Sequence, residues 1–276
     1  MRISVVVLHY ETISDTRECI DSLLNQSYED FDIVVVDNGS VNGKSDAFCD
    51  DYSKNDKVHF IRSEENLGFA NGNNLGIRYS LDNLNPELVV LANNDLVFSE
   101  RDFLIKLVTL YQDSQFDFAG PRIVSTIDGM NQNPVRRAFV SRKDVDKRIV
   151  KSLILLGLSY LNMDLSLKKI LAKPVTEYEY NGTDDFQLHG ACMILSVGFF
   201  KKAGLLYNGT FMYAEEDILR YYVEKYGLKM MYLDKLEVRH KEMSSTNAVF
   251  SKGVKKRRFT YKHSIRSLSK LRRMMK

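Results

Sequence analysis

The stretch Leu88-Val89-Val90-Leu91-Ala92-Asn93-Asn94-Asp95 constrains the fold more than any other part of the chain. Its continuous apolar run predicts a central strand covered on both faces. The run then gives way to two carboxamides and a carboxylate. In an open α/β sheet, ligands bind at the carboxyl ends of the strands. A carboxylate placed there suits a hard divalent cation, Mg²⁺ or Mn²⁺, carried by a phosphate. An ordinary strand followed by an Asn/Asp turn would have the same composition, so the rest of the chain has to decide.

Similar units precede and follow it. Ile3 to Leu8 and Phe31 to Val36 are short β-branched runs that read as buried strands, the second ending in Asp37-Asn38-Gly39-Ser40. A helix is expected over Thr16 to Asn25, with Cys19, Ile20, Leu23 and Leu24 on one face. Val58 to Ile61 reads as a third strand. The Gly- and Asn-rich stretch Asn66 to Asn74 reads as a loop leading into a helix from Leu75 to Leu81. A helix over Phe103 to Tyr111 and a strand from Phe118 follow. Strand and helix alternating at this spacing imply right-handed βαβ units and a mostly parallel sheet. There is no Walker A sequence and no G-x-G-x-x-G after the first strand, which disfavours an ATP or dinucleotide site.

Farther along, Val145 to Lys173 reads as a basic, partly amphipathic helical segment, with a core or partner-covered face favoured over one touching membrane. Leu188 to Leu195 reads as a strand whose small residues Gly190 and Ala191 allow a ligand near the backbone. Glu215-Glu216-Asp217 opens a helix running to Tyr226 and Gly227. One or two acids would serve the helix dipole, so the triplet is a candidate general base. Leu236 to His240 alternates as an edge strand, and Ser244 to Thr246 reads as a polar loop.

With 276 residues, the chain suits one large α/β domain or two small ones. No apolar run is long enough for a membrane-spanning helix, and the N-terminus lacks the features of a signal peptide. Three scattered cysteines without a CxxC suit a reducing compartment and predict neither disulfides nor a zinc site. Charge is divided unevenly. Ser251 to Lys276 holds 11 Lys or Arg and no acid, whereas 28 basic residues face 36 acidic ones in the remainder.

Taken in order, several segments resemble the family 2 glycosyltransferases of GT-A fold, particularly bacterial rhamnosyltransferase-like and capsule-polysaccharide members. They are Val5 to Tyr10, Val34 to Ser40, Asn66 to Ala70 with Gly72 and Asn74, Asn93-Asn94-Asp95, Gly190 to Met193, Phe211 to Asp217, and His240 followed by Ser244-Ser245. The resemblance covers residues 3–246 and is weak over 125–185. It implies an α/β fold with a Rossmann-like nucleotide-sugar-binding half at about 1–120, an acceptor and catalytic half at 121–246, and a basic helical tail at 247–276.

The resemblance also assigns roles. Leu8, Tyr10, Glu11, Asp37, Asn38, Arg62, Asn66, Gly68, Asn74, Asn93 and Asn94 would form the nucleotide site. Asp95 and His240 would hold the divalent cation, Mn²⁺ or Mg²⁺. His189, Gly190, Ala191 and Tyr213 would face the acceptor. The family's Tyr-x-Glu-Asp pattern can be placed in two registers. One selects Glu215 and Glu216, the other Glu216 and Asp217; Glu216 falls in both and is the favoured base, with Asp217 next and Glu215 third.

The implied reaction is inverting transfer from a UDP- or dTDP-sugar to a hydroxyl of a saccharide, free or polyprenyl-diphosphate-linked, in bacterial surface polysaccharide synthesis. The basic tail, with Phe259, Tyr261, Ile265, Leu268, Leu271, Met274 and Met275 among its cations, is expected to rest on anionic lipid at the inner face of the plasma membrane. The protein is thus expected to be cytoplasmic and peripheral, and a homodimer is compatible with the sequence. The cations form no nucleic-acid motif, and the body is acidic, which argues against a nucleic-acid partner. A non-catalytic scaffold is the remaining alternative, opposed by the intact Asp95, acidic triplet and His240.

Overall fold

The computed structural model describes residues 1–275 except 42, 44, 140, 172–177, 183–185 and 243–252. Ser244 to Thr246, and with them the expected boundary at 246, lie outside the described residues. The chain forms β1 (Ile3–His9), α1 (Ile13–Leu24), β2 (Phe31–Asp37), α2 (Ser45–Asp50), β3 (Val58–Arg62) and α3 (Gly68–Tyr79). Next come β4 (Leu88–Asn93), β5 (Leu96–Val97), α4 (Phe103–Ser114), β6 (Phe118–Ser125) and β7 (Val135–Arg136). They are followed by α5 (Arg142–Tyr160), α6 (Asp164–Leu171), β8 (Phe186–Gln187), β9 (Cys192–Ser196) and α7 (Val197–Ala203). The last elements are α8 (Glu215–Tyr226), β10 (Met230–His240) and a C-terminal helix (Val254–Met274).

Eight strands form one sheet in the order β3-β2-β1-β4-β9-β6-β10-β5. The β3-β2-β1-β4 half is wholly parallel. In the other half β9 runs antiparallel to both β4 and β6, and β5 antiparallel to β10. Because β9 is reversed, its amino end, preceded by Gly190 and Ala191, lies at the same sheet edge as the carboxyl ends of β1 and β4. The chain leaves β1 toward β2 on one side and reaches β4 on the other. Asn93 pairs with Leu8 at this point of divergence, where a crevice opens in such sheets.

Alternation along the buried strands feeds two cores. Val5, Val7, Ile33, Val35 and Val90 pack beneath α1 and α4, and Val6, Val34, Val36, Val89 and Leu91 pack under α3, α8 and the C-terminal helix. The Gly- and Asn-rich stretch after Asn66 is helical from Gly68, not a loop. A Cβ on Gly76 would come within 2.4 Å of the Val6 side chain, so the missing side chains let α3 lie close on the sheet. The run from Leu236 is not an edge strand either. It continues β10 past a bulge between Leu233 and Glu237 and lies between β6 and β5.

The expected helical segment after Val145 is two helices. α5 turns Val145, Ser152, Leu155 and Ser159 inward, toward the C-terminal helix. Tyr261, Leu268 and Leu271 of the C-terminal helix, read from the sequence as lipid-facing, are buried against the body. Arg257 and Tyr261 reach the buried Asp164 carboxylate at 2.6 and 2.9 Å, and Arg258 lies over the Tyr160 ring at 4.1 Å. Those cations are used to fasten the helix.

Candidate active site

Strand ends and loops from both halves surround a cavity of about 580 Å³. From β1 and β2 come Leu8, Tyr10 and Asn38; Asn66 and Gly68 come from the start of α3; Asn93, Asn94 and Asp95 end β4. His189, Gly190 and Ala191 precede β9, Tyr213, Glu215 and Glu216 flank the start of α8, and His240 ends β10. Most residues assigned from the sequence therefore meet in one place.

Asp95 is held on three sides. Nδ2 of Asn94 donates to the hydroxyls of Thr12 and Thr16 at 2.8 and 2.9 Å, pinning the turn to α1. The Asp95 carbonyl accepts from Lys241 N at 3.0 Å. Lys241 in turn reaches Asp15 and Glu18 on α1, both at 2.7 Å. The Asp95 carboxylate is buried, and neither of its oxygens accepts a hydrogen bond among the described residues. Such a group is costly to bury unless something compensates it.

His240 faces it. Gln132 Nε2 donates to Glu242 Oε1 at 2.7 Å, which orients the amide with Oε1 toward His240 Nδ1 at 2.7 Å. An amide oxygen only accepts, so Nδ1 donates to it; in the neutral tautomer with that proton, Nε2 turns its lone pair toward Asp95 Oδ1, 3.3 Å away. Two acceptors pointed at each other suit a shared cation. The described residues hold no cluster of three acidic, His or Cys ligands. Two protein ligands with substrate phosphate oxygens completing the set is the usual arrangement for Mg²⁺, so the residues present fit the expected ion.

The acids part company at α8. Tyr213 and Ala214 are both left-handed, with φ of 70° and 67°. This double reversal is fastened from outside: Ser267 Oγ donates to the Met212 carbonyl at 2.8 Å, Tyr213 Oη meets Thr260 Oγ1 at 3.0 Å, and Phe69 N donates to the Phe211 carbonyl at 2.9 Å. A Cβ on Gly68 would stand 2.0 Å from that carbonyl. The turn delivers Glu216 into the cavity, where its Oε1 accepts from Gly190 N at 3.3 Å. Glu215 is buried, with its carboxyl pushed up to about 8, chiefly by burial and then by the charge of Glu216. Asp217 lines a separate cavity with Gln187 and Arg148, and burial raises it to about 7. Of the two registers, the geometry favours the one aligned from Tyr213, which puts Glu216 rather than Asp217 at the base position.

Other residues assigned from the sequence stand apart from the cavity lining or are engaged by the protein. Asn74 does not line the cavity. Its side chain is buried and bonds both ways with the Leu206 backbone, at 2.9 and 3.0 Å, fixing α3 to the segment after α7. Asp37, Arg62 and Glu11 lie outside the lining: Asp37 accepts from Ser40 N at 3.0 Å and approaches Arg62 at 3.6 Å, and Glu11 accepts from Val41 N at 2.8 Å. Asn38 lines the cavity, but its carboxamide is taken up by Leu67 N, Asn66 Oδ1 and Gly68 O. His189 Nδ1 accepts from Ala191 N at 3.1 Å, which leaves the proton on Nε2. Burial lowers its basicity, with neighbouring His240 acting the same way and Glu216 opposing.

The sequence reading missed Gln132 and Glu242, whose pairing is 110 residues apart and follows no local pattern. It also missed Phe211 and Phe259, whose rings lie 6.3 Å apart on the cavity wall. Phe259 was read as lipid-facing.

The family model "Glycosyl transferase family 2" matches residues 4–170. The Haloferax volcanii "Low-salt glycan biosynthesis hexosyltransferase Agl10" is 29% identical over 78% of this chain and 59% of its own length. The chain thus spans about three fifths of that relative's length. Among solved structures, GalNAc-T7 with UDP, GalNAc and Mn²⁺ superposes with a TM-score of 0.61 at 17% identity, over 87% of this chain and 44% of that one. The Pyrobaculum calidifontis mannosyltransferase PcManGT with GDP-Man and Mn²⁺ gives 0.57 at 17% identity, over 99% and 64%. These superpositions show the GT-A fold.

Proposed function

Because the chain belongs to glycosyl transferase family 2, we propose that it is an inverting, metal-dependent glycosyltransferase acting on a nucleoside diphosphate sugar. The observation that carries this reading is the meeting in one cavity of an uncompensated carboxylate, Asp95 with His240, and a second carboxylate, Glu216, brought in on a separate loop. Transfer needs charge neutralised on a leaving diphosphate and a proton taken from an attacking hydroxyl. The two groups answer to those two demands.

Asp95 and His240 would hold the cation, which when bound supplies positive charge to the leaving diphosphate. Leu8, Tyr10, Asn38 and Asn66 wall the part of the cavity nearest β1 and β2, where the nucleoside would lie. His189, Gly190, Ala191 and Tyr213 wall the acceptor side. Glu216 takes the acceptor hydroxyl proton as the oxygen bonds to the anomeric carbon. The bond from that carbon to the diphosphate oxygen breaks, and the electron pair leaves with the nucleoside diphosphate. Attack from the face opposite the leaving group inverts the anomeric centre.

The donor is proposed as a UDP- or dTDP-sugar of hexosyl or rhamnosyl type. The acceptor is proposed as a saccharide on a polyprenyl diphosphate, at the inner face of the plasma membrane, in synthesis of a surface polysaccharide such as a capsule. The glycan-biosynthesis description of the Haloferax relative supports that direction. The test is calorimetric titration of UDP, dTDP and GDP into wild type and Asp95→Ala, with Mn²⁺, Mg²⁺ or EDTA. Metal-dependent binding that disappears in the variant is expected, and the preferred base narrows the donor. Failure of every nucleotide to bind under any metal condition would overturn the reading.

A further inference from the structure

Outside the active site, α5 and α6 carry a surface that the transferase reading leaves unused. Eight of the twelve large apolar side chains that are exposed among the described residues fall between Val150 and Ile170. Leu153 and Ile154 are each about half exposed, Leu161 is 69% exposed and Ile170 is 79% exposed. On α5 the face is the one opposite the buried Val145, Ser152, Leu155 and Ser159, so the helix has an apolar side both inward and outward. An outward apolar stripe of this extent marks a contact surface.

Charge identifies the contact. Residues 142–170 hold seven Lys or Arg and three acids. All three acids are engaged: Asp144 closes the capping box with Ser141, Asp146 binds Arg272, and Asp164 is buried under Arg257 and Tyr261. Lys143, Lys147 and Lys151 line the same groove as Val150, Ile154 and Leu167. The ammonium of Lys168 is held below the ordinary lysine range, first by burial, with repulsion from Arg257, Arg148 and Lys151 adding to it against the pull of Asp164. No helix among the described residues is long and apolar enough to cross a membrane.

We propose that this α5–α6 face docks on an anionic lipid bilayer, with its apolar side chains entering the interface and its lysines meeting the headgroups. Lysine stems interleaved with aliphatic side chains along a helix pair are suited to that boundary, where the stem is covered by the acyl region and the ammonium stays among phosphates. A second copy of the chain fits the face less well. A two-fold contact repeats the same patch on both sides and would set lysines against lysines. The proposal moves the membrane contact from the C-terminal helix, whose apolar face is used on the body, to the helices it packs on. It does not rest on the donor or the acceptor chemistry.

The full chain is tested by co-sedimentation with vesicles of phosphatidylcholine alone or mixed with phosphatidylglycerol. Binding to the anionic vesicles, weakened by salt, is expected. Val150→Asp combined with Ile154→Asp should weaken it by about tenfold or more, and Ile105→Asp on α4 should leave it unchanged. Hydrogen exchange on the wild type, with and without vesicles, should show added protection within 143–170, and it decides the matter alone if the paired variant misfolds. The proposal is overturned by absence of binding to anionic vesicles, by binding that survives the paired substitution, or by protection confined to other segments. It is equally overturned if the paired substitution converts a dimer to a monomer, which would make the face an interface between copies.

Discussion

His240 Nε2 and Asp95 Oδ1 stand 3.3 Å apart, and on the opposite side of the ring Nδ1 donates to Gln132 Oε1 at 2.7 Å. The relay behind it, Glu242 to Gln132 to His240, sets which ring nitrogen faces Asp95. Outer partners of this kind change metal affinity by about 10- to 100-fold. Gln132→Leu removes the acceptor that holds the Nδ1 proton. It should weaken Mn²⁺ binding in the presence of nucleotide by about tenfold or more, read by titration calorimetry or by the Mn²⁺ resonance signal. Unchanged affinity would mean that the tautomer does not matter to the site.

Glu216 and Asp217 are adjacent in sequence but open into different cavities. Glu216→Gln keeps the shape and removes the base, so kcat should fall by about 10²- to 10⁴-fold, while binding of the nucleotide donor is retained. Asp217→Asn should cost less than about tenfold, since its side chain lies away from the reacting atoms. Steady-state kinetics on both variants distinguishes the two registers of the acidic motif. A larger loss in Asp217→Asn would transfer the base to that residue.

Gly190 is where the base meets the backbone. A Cβ there would come within 2.7 Å of Glu216 Oε1, and Gly190 N donates to that same oxygen. Gly190→Ala should therefore push the carboxylate off its position, and small displacements of a catalytic group can cost about 10²-fold. The expected signature is a fall in kcat with donor affinity intact. A drop in donor affinity with kcat preserved would show that Gly190 serves the nucleotide instead.

Asp164 tests whether the C-terminal helix belongs to the body. Arg257 and Tyr261 hold its carboxyl below the ordinary carboxylate range, with burial opposing. A lowered native value gives stability that is present at neutral pH and lost as pH falls through the carboxylate range. Asp164→Asn should cost about 2 kcal/mol at pH 7, and the difference in melting temperature from wild type should shrink on acidification. A variant as stable as wild type at pH 7 would mean the helix is not fastened there.

The parts of this molecule that were legible in the sequence are those carried by local pattern. β-branched runs ended in polar residues, and the three strand ends at Tyr10, Asn38 and Asp95 did come together. Asn74 misled because a carboxamide looks the same whether it meets a ligand or, as here, the backbone of Leu206. The stretch after Asn66 read as a loop because glycine lowers helix propensity, and only the tight seat of α3 on Val6 explains its use. The C-terminal helix was judged by its charge, yet Arg257, Arg258 and Arg272 are spent on α5 and α6. Partners at such sequence separations leave no local trace.

Glu215 supplies the last prediction. Its carboxyl lies at about 8 in the folded protein against an ordinary 4.5, raised by burial and by Glu216. Between those two values the native state binds more protons than the unfolded chain, so stability declines as pH rises through the window. Above it the folded protein carries a buried charge with no resolved compensation on Oε1. Glu215→Gln keeps the volume and is neutral at every pH. The variant should match wild type near pH 4 and melt higher at pH 8, by about 2–4 °C for each kcal/mol of penalty removed. Asp217, raised to about 7 by the same burial, will leave part of the slope in place. Thermal melts of both proteins from pH 4 to 8 measure the difference. A gap that stays constant with pH would show that Glu215 is not protonated in the native state and that Glu216 stands beside a charge, not beside a neutral acid.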